Sequence, residues 1–228
     1  MRTVAFADGG ITRIRCETKL LLDAEQAERI ARALEAEMTP YECRVAVVYF
    51  DSPDARLARR AVSMPDDCVK VRVKAYDPDL GSHAARVVLE VKRERGGMTS
   101  KERVWLAPDD VPAELERSLV PIFGPLAPSV ASSYRRRVFQ CTATWRVTFD
   151  DDLRFHGADW SVLAPGVPPS VATLPPAFAA ERRTIVELKH APGTLPRWLA
   201  LMGQLRGTRY SKFAAGIADA EGAGSSHA

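Results

Sequence analysis

Polar and apolar positions alternate without a break in residues 69–77, VKVRVKAYD. Alternation with period two predicts a β-strand with two unlike faces. Val71, Val73 and Ala75 take one face; Lys70, Arg72 and Lys74 take the other. Same-face neighbours stand about 6.6 Å apart, so each cation pair repels by about 2.5 kcal/mol at an effective dielectric of about 20. A solvated face would mix signs to avoid that cost. This one calls for an anion.

The pattern recurs along the chain. TRIRCETKLL (12–21) predicts a first strand with Arg13, Arg15, Glu17 and Lys19 opposite Ile14, Cys16 and Leu20. Asp23, with Gln26 three residues on, reads as a capping box that opens a helix over 24–38. RVAVVYFD (44–51) predicts a strand ended by Ser52-Pro53-Asp54, with a short helix over 55–60. RVVLEVKRE (86–94) turns at Gly96-Gly97 into SKERVWL (100–106), a hairpin signal. Asp109-Asp110 open a helix over 112–123; strands follow over 130–138 and 141–150, and TIVELK (184–189) is the last strand. Short helices are expected over 196–205 and 211–218, and the Gly/Ser/Ala-rich residues 220–228 predict a disordered tail. About eight strands, few helices and no βαβ rhythm predict one α+β domain over 1–219, an antiparallel sheet or barrel with peripheral helices.

Composition narrows the function. The chain has 228 residues, 46% hydrophobic and 27% charged, which is ordinary for a globular protein with a sizeable core. A net charge of +3 is too small to argue for nucleic acid as a partner; only a local concentration of cations matters. Cys16, Cys43, Cys68 and Cys141 show no metal-knuckle spacing and read as reduced thiols of a cytoplasmic protein. The N-terminal MRTVAFADGGITRIR lacks the apolar run of a signal peptide. Residues 162–180 carry no charge, but Pro165, Pro168, Pro169, Pro175 and Pro176 forbid a regular helix there, so this stretch is a loop and no membrane span. His83, His156, His190 and His227 read as solvated surface residues, and no Ser–His or Cys–His pair is evident.

The polar faces carry charge strand after strand. Lys101 and Arg103 continue the series across the hairpin; Arg146, Thr148 and Asp150 alternate with Trp145, Val147 and Phe149; Glu187 and Lys189 alternate with Val186 and Leu188. If the sheet curls on itself, these faces point into a lumen. A lumen of Arg and Lys with a few Glu suits a phosphate-rich polyanion, bridged to the carboxylates by a divalent metal.

These motifs, taken in order, resemble the VTC (vacuolar transporter chaperone) domain, the polyphosphate polymerase domain of the CYTH-like triphosphate tunnel metalloenzymes. They are ETKLLL (17–22), VYFDSPD (48–54), VKVRVKAYD (69–77), VLEVKRERGGMTSKERVWL (88–106), YRRRVF (134–139), RVTFDDDLR (146–154), VELKH (186–190) and RYSKF (209–213). The resemblance implies an eight-stranded antiparallel tunnel barrel in which Lys19, Arg72, Lys74, Lys92, Lys101, Arg136 and Arg146 act on the phosphates. Tyr134, Lys189, Arg209, Ser211 and Lys212 would hold phosphate, and Glu187 a metal, Mn²⁺ or Mg²⁺. It implies an ATP-dependent polyphosphate polymerase with ATP and polyphosphate as partners; a triphosphatase or a non-catalytic polyphosphate- or nucleotide-binding module would use the same ligands. The motif does not pick out Lys70, Arg103, Arg135 or Arg137, which are expected outside the tunnel or at its mouth; Glu90 is expected to pair with Lys92 or Arg72. Hydrolytic members of the superfamily carry ExExK near the N-terminus; Arg15 stands at the first of those positions here, leaving Glu17 and Lys19, which points towards the polymerase branch.

Overall fold

Strands with one apolar face bury it against helices and leave the other face free to line an interior. In the computed structural model, which describes residues 16–76, 87–96, 98–141, 145–163, 166–191, 199 and 207–225, nine strands form one antiparallel sheet. They are β1 (Cys16–Leu22), β2 (Tyr41–Asp51), β3 (Asp67–Tyr76), β4 (Val87–Arg95), β5 (Met98–Leu106), β6 (Ala127–Cys141), β7 (Trp145–Gly157), β8 (Ala177–Glu181) and β9 (Thr184–His190). Eight of them follow the path β1-β9-β7-β6-β2-β3-β4-β5, and β8 pairs with the far half of β7. The sheet curls, so that all eight strands of the path contribute side chains to one cavity. This is the expected α+β tunnel architecture, with β1 and β5 as the ends of the path. Among the described residues no ladder joins these two ends.

Helices cover the outer face. Helix α1 (Ala24–Glu35) opens with the expected capping box, the Gln26 amide donating to Asp23 Oδ1 at 2.7 Å. Its Ala27, Ala31 and Leu34 pack on Leu20, Leu22, Val147, Phe149, Val186 and Leu188, the apolar sides of β1, β7 and β9. Helix α2 (Arg56–Ser63) is started by buried Asp51, whose carboxylate accepts from the Leu57 and Ala58 amides, both at 2.8 Å. Asp51 of the VYFDSPD motif is thus a structural cap. Three helical turns, Val111–Glu114, a wider π turn at Leu115–Leu119 and Val120–Phe123, complete the cover.

The structure departs from expectation in particular places. β6 and β7 run longer than the alternation indicated, to Cys141 and Gly157. The overhang of β7 pairs with β8, which begins inside the stretch 162–180 read as a loop; AFAAE carries too little polar alternation to announce a strand. His156 is not a solvated residue: it is buried on β7, its Nε2 2.9 Å from Ser133 Oγ and its Nδ1 2.6 Å from the Pro175 carbonyl. A Ser–His pair therefore exists, but neither residue lines the cavity, and its third partner is a carbonyl that ties the proline-rich segment to the sheet. The last helix, Lys212–Ser225, continues beyond 218 into the residues read as a tail. Its Gly216 rests on Phe155 and Val130, where a Cβ would meet Phe155 Cδ1 at 2.8 Å. Phe213, beside it, stacks on Tyr49 with ring centroids 4.9 Å apart. That apolar stack fills part of the interior and leaves a cavity lined by polar side chains. Of the helix expected over 196–205 only Leu199 is described, helical and fully buried; Arg13, Arg15, Arg86, Gly97, His83 and His227 lie outside the described residues.

Candidate functional site

The polar part of the interior is a cavity of about 350 Å³. Eleven Lys and Arg side chains line it against two carboxylates, those of Glu17 and Glu187. The strand register explains how so many cations meet. Hydrogen-bonded pairing sets Lys70 opposite Lys92, and Lys92 opposite Lys101, so three lysines stand in one row across β3, β4 and β5. The next row is Arg72, Glu90 and Arg103; the third is Lys74, Val88 and Trp105.

Glu90 is the keystone of this wall. It is fully buried, and its Oε1 accepts from Arg72 Nε at 2.8 Å while Oε2 accepts from Arg103 Nε at 2.7 Å and Lys74 Nζ at 3.1 Å. Burial would raise its pKa, but Arg72 and Lys74 hold it well below the usual carboxylate range. Burial pushes Lys74 down to about 6, assisted by the Arg72 charge. Burial likewise pushes Lys70 down to about 8. Arg72 goes the other way: burial disfavours its charge, but Tyr49 and Glu90 outweigh that and raise its pKa. Lys92 is paired with Glu94, and Lys101 stands exposed on the β5 lip, facing Lys189 and Glu187 across the cavity.

The opposite wall mixes signs. Glu17 pairs in register with Lys189, and Lys19 with Glu187; on the next strand Lys189 stands beside Arg146 and Glu187 beside Thr148. Glu17 lies 3.4 Å from both Lys19 and Lys189, and Lys189 also contacts Glu187. Burial would raise the Glu187 pKa, but Lys189 and Lys19 keep it well below the ordinary value. Deeper in, buried Asp150 takes a bidentate pair from Arg136, at 2.6 and 2.7 Å, and a third bond from Lys212 Nζ at 2.6 Å. Tyr134 lies under both cations, 5.2 Å from Arg136 and 4.5 Å from Lys212, and burial raises its hydroxyl pKa.

Of the residues singled out from sequence, Lys19, Arg72, Lys74, Lys92, Lys101, Tyr134, Arg136, Arg146, Glu187, Lys189, Ser211 and Lys212 all line this cavity. Arg209 does not: its guanidinium is exposed and pairs with Asp66. Lys70 and Arg103, expected outside or at the mouth, line the cavity as well. Strand alternation had placed both on the inward faces, a signal stronger than the motif that passed them over. Arg135 and Arg137 point outward as expected, to Asp151 and to Glu28. Glu90 pairs with Arg72, as one of the two expectations had it.

Among the described residues no three His, Cys, Asp or Glu side chains group together as a metal cage. A Mg²⁺ or Mn²⁺ ion bound with phosphate needs less, since one or two carboxylates suffice and phosphate oxygens and water complete the shell. Asp150 and Glu90 are saturated by cations, whereas Glu17 and Glu187 face the cavity on diagonal positions of paired strands. The residues present therefore fit a divalent cation, held by Glu187 and Glu17. Bound there, it would supply Lewis-acid polarisation of a phosphoryl oxygen.

The sequence model of the VTC domain matches residues 14–121 and 122–220, and the chain belongs to that family. No curated protein sequence matches it significantly. Among solved structures it is similar to HpAC1 of Hippeastrum, described as an adenylyl cyclase candidate with a dominant triphosphatase activity. The TM-score is 0.55 at 16% identity, over 90% of this chain and 96% of that one. It is also similar to an adenylate cyclase candidate from Bacillus halodurans, with a TM-score of 0.49 at 14% identity, over 84% and 87% of the two chains. The fold is thus the triphosphate tunnel fold. No helix among the described residues is long and apolar enough to cross a membrane.

Proposed function

We propose that the chain is an ATP-dependent polyphosphate polymerase. An oxygen of the terminal phosphate of a held chain attacks the γ-phosphorus of ATP; the bond to the β–γ bridging oxygen breaks, and ADP leaves with the electron pair. The observation that carries this reading is the convergence of eleven cations, from seven strands and the 207–213 segment, on one cavity. Phosphoryl transfer asks for positioning and charge neutralisation rather than covalent help. A terminal phosphate is already an anionic nucleophile, so no general base is required. The row Lys70–Lys92–Lys101 with Arg72 and Arg103 holds the chain of phosphates, while Arg136, Arg146 and Lys212 approach from the opposite side. A cytosolic setting agrees with the buried free thiol of Cys68. Incubating the protein with ATP and Mn²⁺ and running a gel tests the reading: long phosphate chains are expected, and free phosphate alone overturns it.

One observation favours a second reading, a triphosphatase with water as acceptor. Glu17 and Glu187 give the cavity two carboxylates on its mixed-sign wall, enough to hold a metal or orient a water molecule. Phosphate release from tripolyphosphate without chain growth would establish it in place of the first.

A further inference from the structure

The third row of the cationic wall is unlike the other two. Lys74 is followed by Val88 and Trp105, and Tyr76 lies two residues beyond Lys74 on the same face of β3. Tyr76, Val88 and Trp105 all line the cavity, and the Tyr76 and Trp105 rings stand 6.5 Å apart, tilted by 35°. Half of the Trp105 surface is exposed. An apolar ring pair has no use for a phosphate chain, yet it continues the same ladder of rows, each about 7 Å from the last. The wall therefore changes chemistry once along its length, from three lysines, through two arginines shared by Glu90, to a half-exposed aromatic surface.

We propose that Tyr76 and Trp105 form a nucleobase platform, so that this end of the cavity takes the nucleoside of a nucleoside triphosphate. The inference rests on the reading of the cavity as a triphosphate site. Every base has a π-face, so stacking on an indole binds a base with little preference among sequences or base types. The arrangement also orients the substrate. With the base on Trp105, the α-phosphate falls near Lys74, the next phosphates reach Arg72 and Arg103, and the chain runs on towards Lys70, Lys92 and Lys101.

The test compares ligands with and without a base. Calorimetry with the β,γ-imido analogue of ATP and with inorganic tripolyphosphate is carried out on the unaltered protein, Trp105→Ala and Trp105→Phe. Trp105→Ala is expected to weaken the nucleotide about tenfold while tripolyphosphate binds as before, and Trp105→Phe to recover most of the loss. Intact tripolyphosphate binding also serves as the folding control. In the unaltered protein the nucleotide, but not tripolyphosphate, is expected to quench an indole emission component that Trp105→Phe removes. Equal weakening of both ligands, or none of either, overturns the platform. Failure of the unaltered protein to bind either ligand overturns the triphosphate reading beneath it.

Discussion

The two walls of the cavity solve the problem of like charge in opposite ways. On β1, β9, β7 and β6, Glu17, Glu187 and Asp150 alternate with Lys19, Lys189 and Arg136, and repulsion is cancelled within the protein. On β3, β4 and β5 one buried Glu90 serves three cations, while in the lysine row beyond it Lys92 pairs with Glu94. Like charges directly opposite each other across strands are destabilising. The mixed wall is thus complete by itself and suited to holding a metal. The lysine wall is incomplete until a polyanion arrives. On the proposed function, the metal would sit on the mixed wall and most of the phosphate contacts on the lysine wall.

The two walls can be broken one at a time. Glu187→Gln on the mixed wall is expected to lower turnover about a thousandfold, the scale of losing Lewis-acid stabilisation. Without metal it should bind tripolyphosphate as tightly as before or more tightly, since a negative charge is gone. Lys92→Ala should do the reverse, weakening tripolyphosphate about tenfold to a hundredfold, as for the loss of one charge-assisted contact. Parallel calorimetry and rate assays on the two variants check this, and equal effects on both measurements would merge the walls into one.

Glu90→Gln should cost about 3 kcal/mol of stability, because it strands buried cations. Tripolyphosphate should raise the melting temperature of this variant more than that of the unaltered protein, since the ligand restores the missing charge.

The lysine wall should also couple binding to protons. Lys74 titrates at about 6 and Lys70 at about 8 when folded, against an ordinary value of 10.5. The unfolded chain therefore holds more protons between those values, so ligand-free stability rises with pH from about 6 towards 10. A polyanion prefers the charged lysines, so its affinity falls over the same range and its binding takes up protons. Lys101, exposed on its lip, is more screened by solvent and contributes less. Titrations in two buffers of different ionisation enthalpy measure the uptake; proton release would contradict it. The smallest effect is expected from Arg209→Ala at its exposed pair with Asp66, within about 0.5 kcal/mol in stability and without change in tripolyphosphate affinity.

Much of this contrast could be read along the chain, because alternation states which side chains share a face. Val71, Val73 and Ala75 went to the core, and Lys70, Arg72 and Lys74 to the cavity, as their spacing required. What a strand cannot state is which partner residue stands opposite. The row Lys70–Lys92–Lys101 depends on the pairings of β3 with β4 and of β4 with β5. The β4–β5 hairpin turns at Gly96, with φ of +56°. On the other side, a bulge between Ser133 and Arg135 shifts the register of β6. His156 escaped notice because its partners, Ser133 and the Pro175 carbonyl, lie 23 and 19 residues away. Arg209 sits in a matching motif, but Asp66, its partner, is 143 residues earlier.

The Thr208 amide donates to the Lys19 carbonyl at 2.8 Å, so the segment that delivers Ser211 and Lys212 is stitched to the first strand. β1 itself pairs with β9, from Cys16 with His190 to Leu22 with Thr184. Contacts between such distant parts of a chain form late and slowly, since their loops must close before they are rewarded. Self-repulsion among the gathered lysines raises that final barrier further. Phosphate chains should therefore accelerate refolding as well as occupy its product, acting as a template on which the last strands settle.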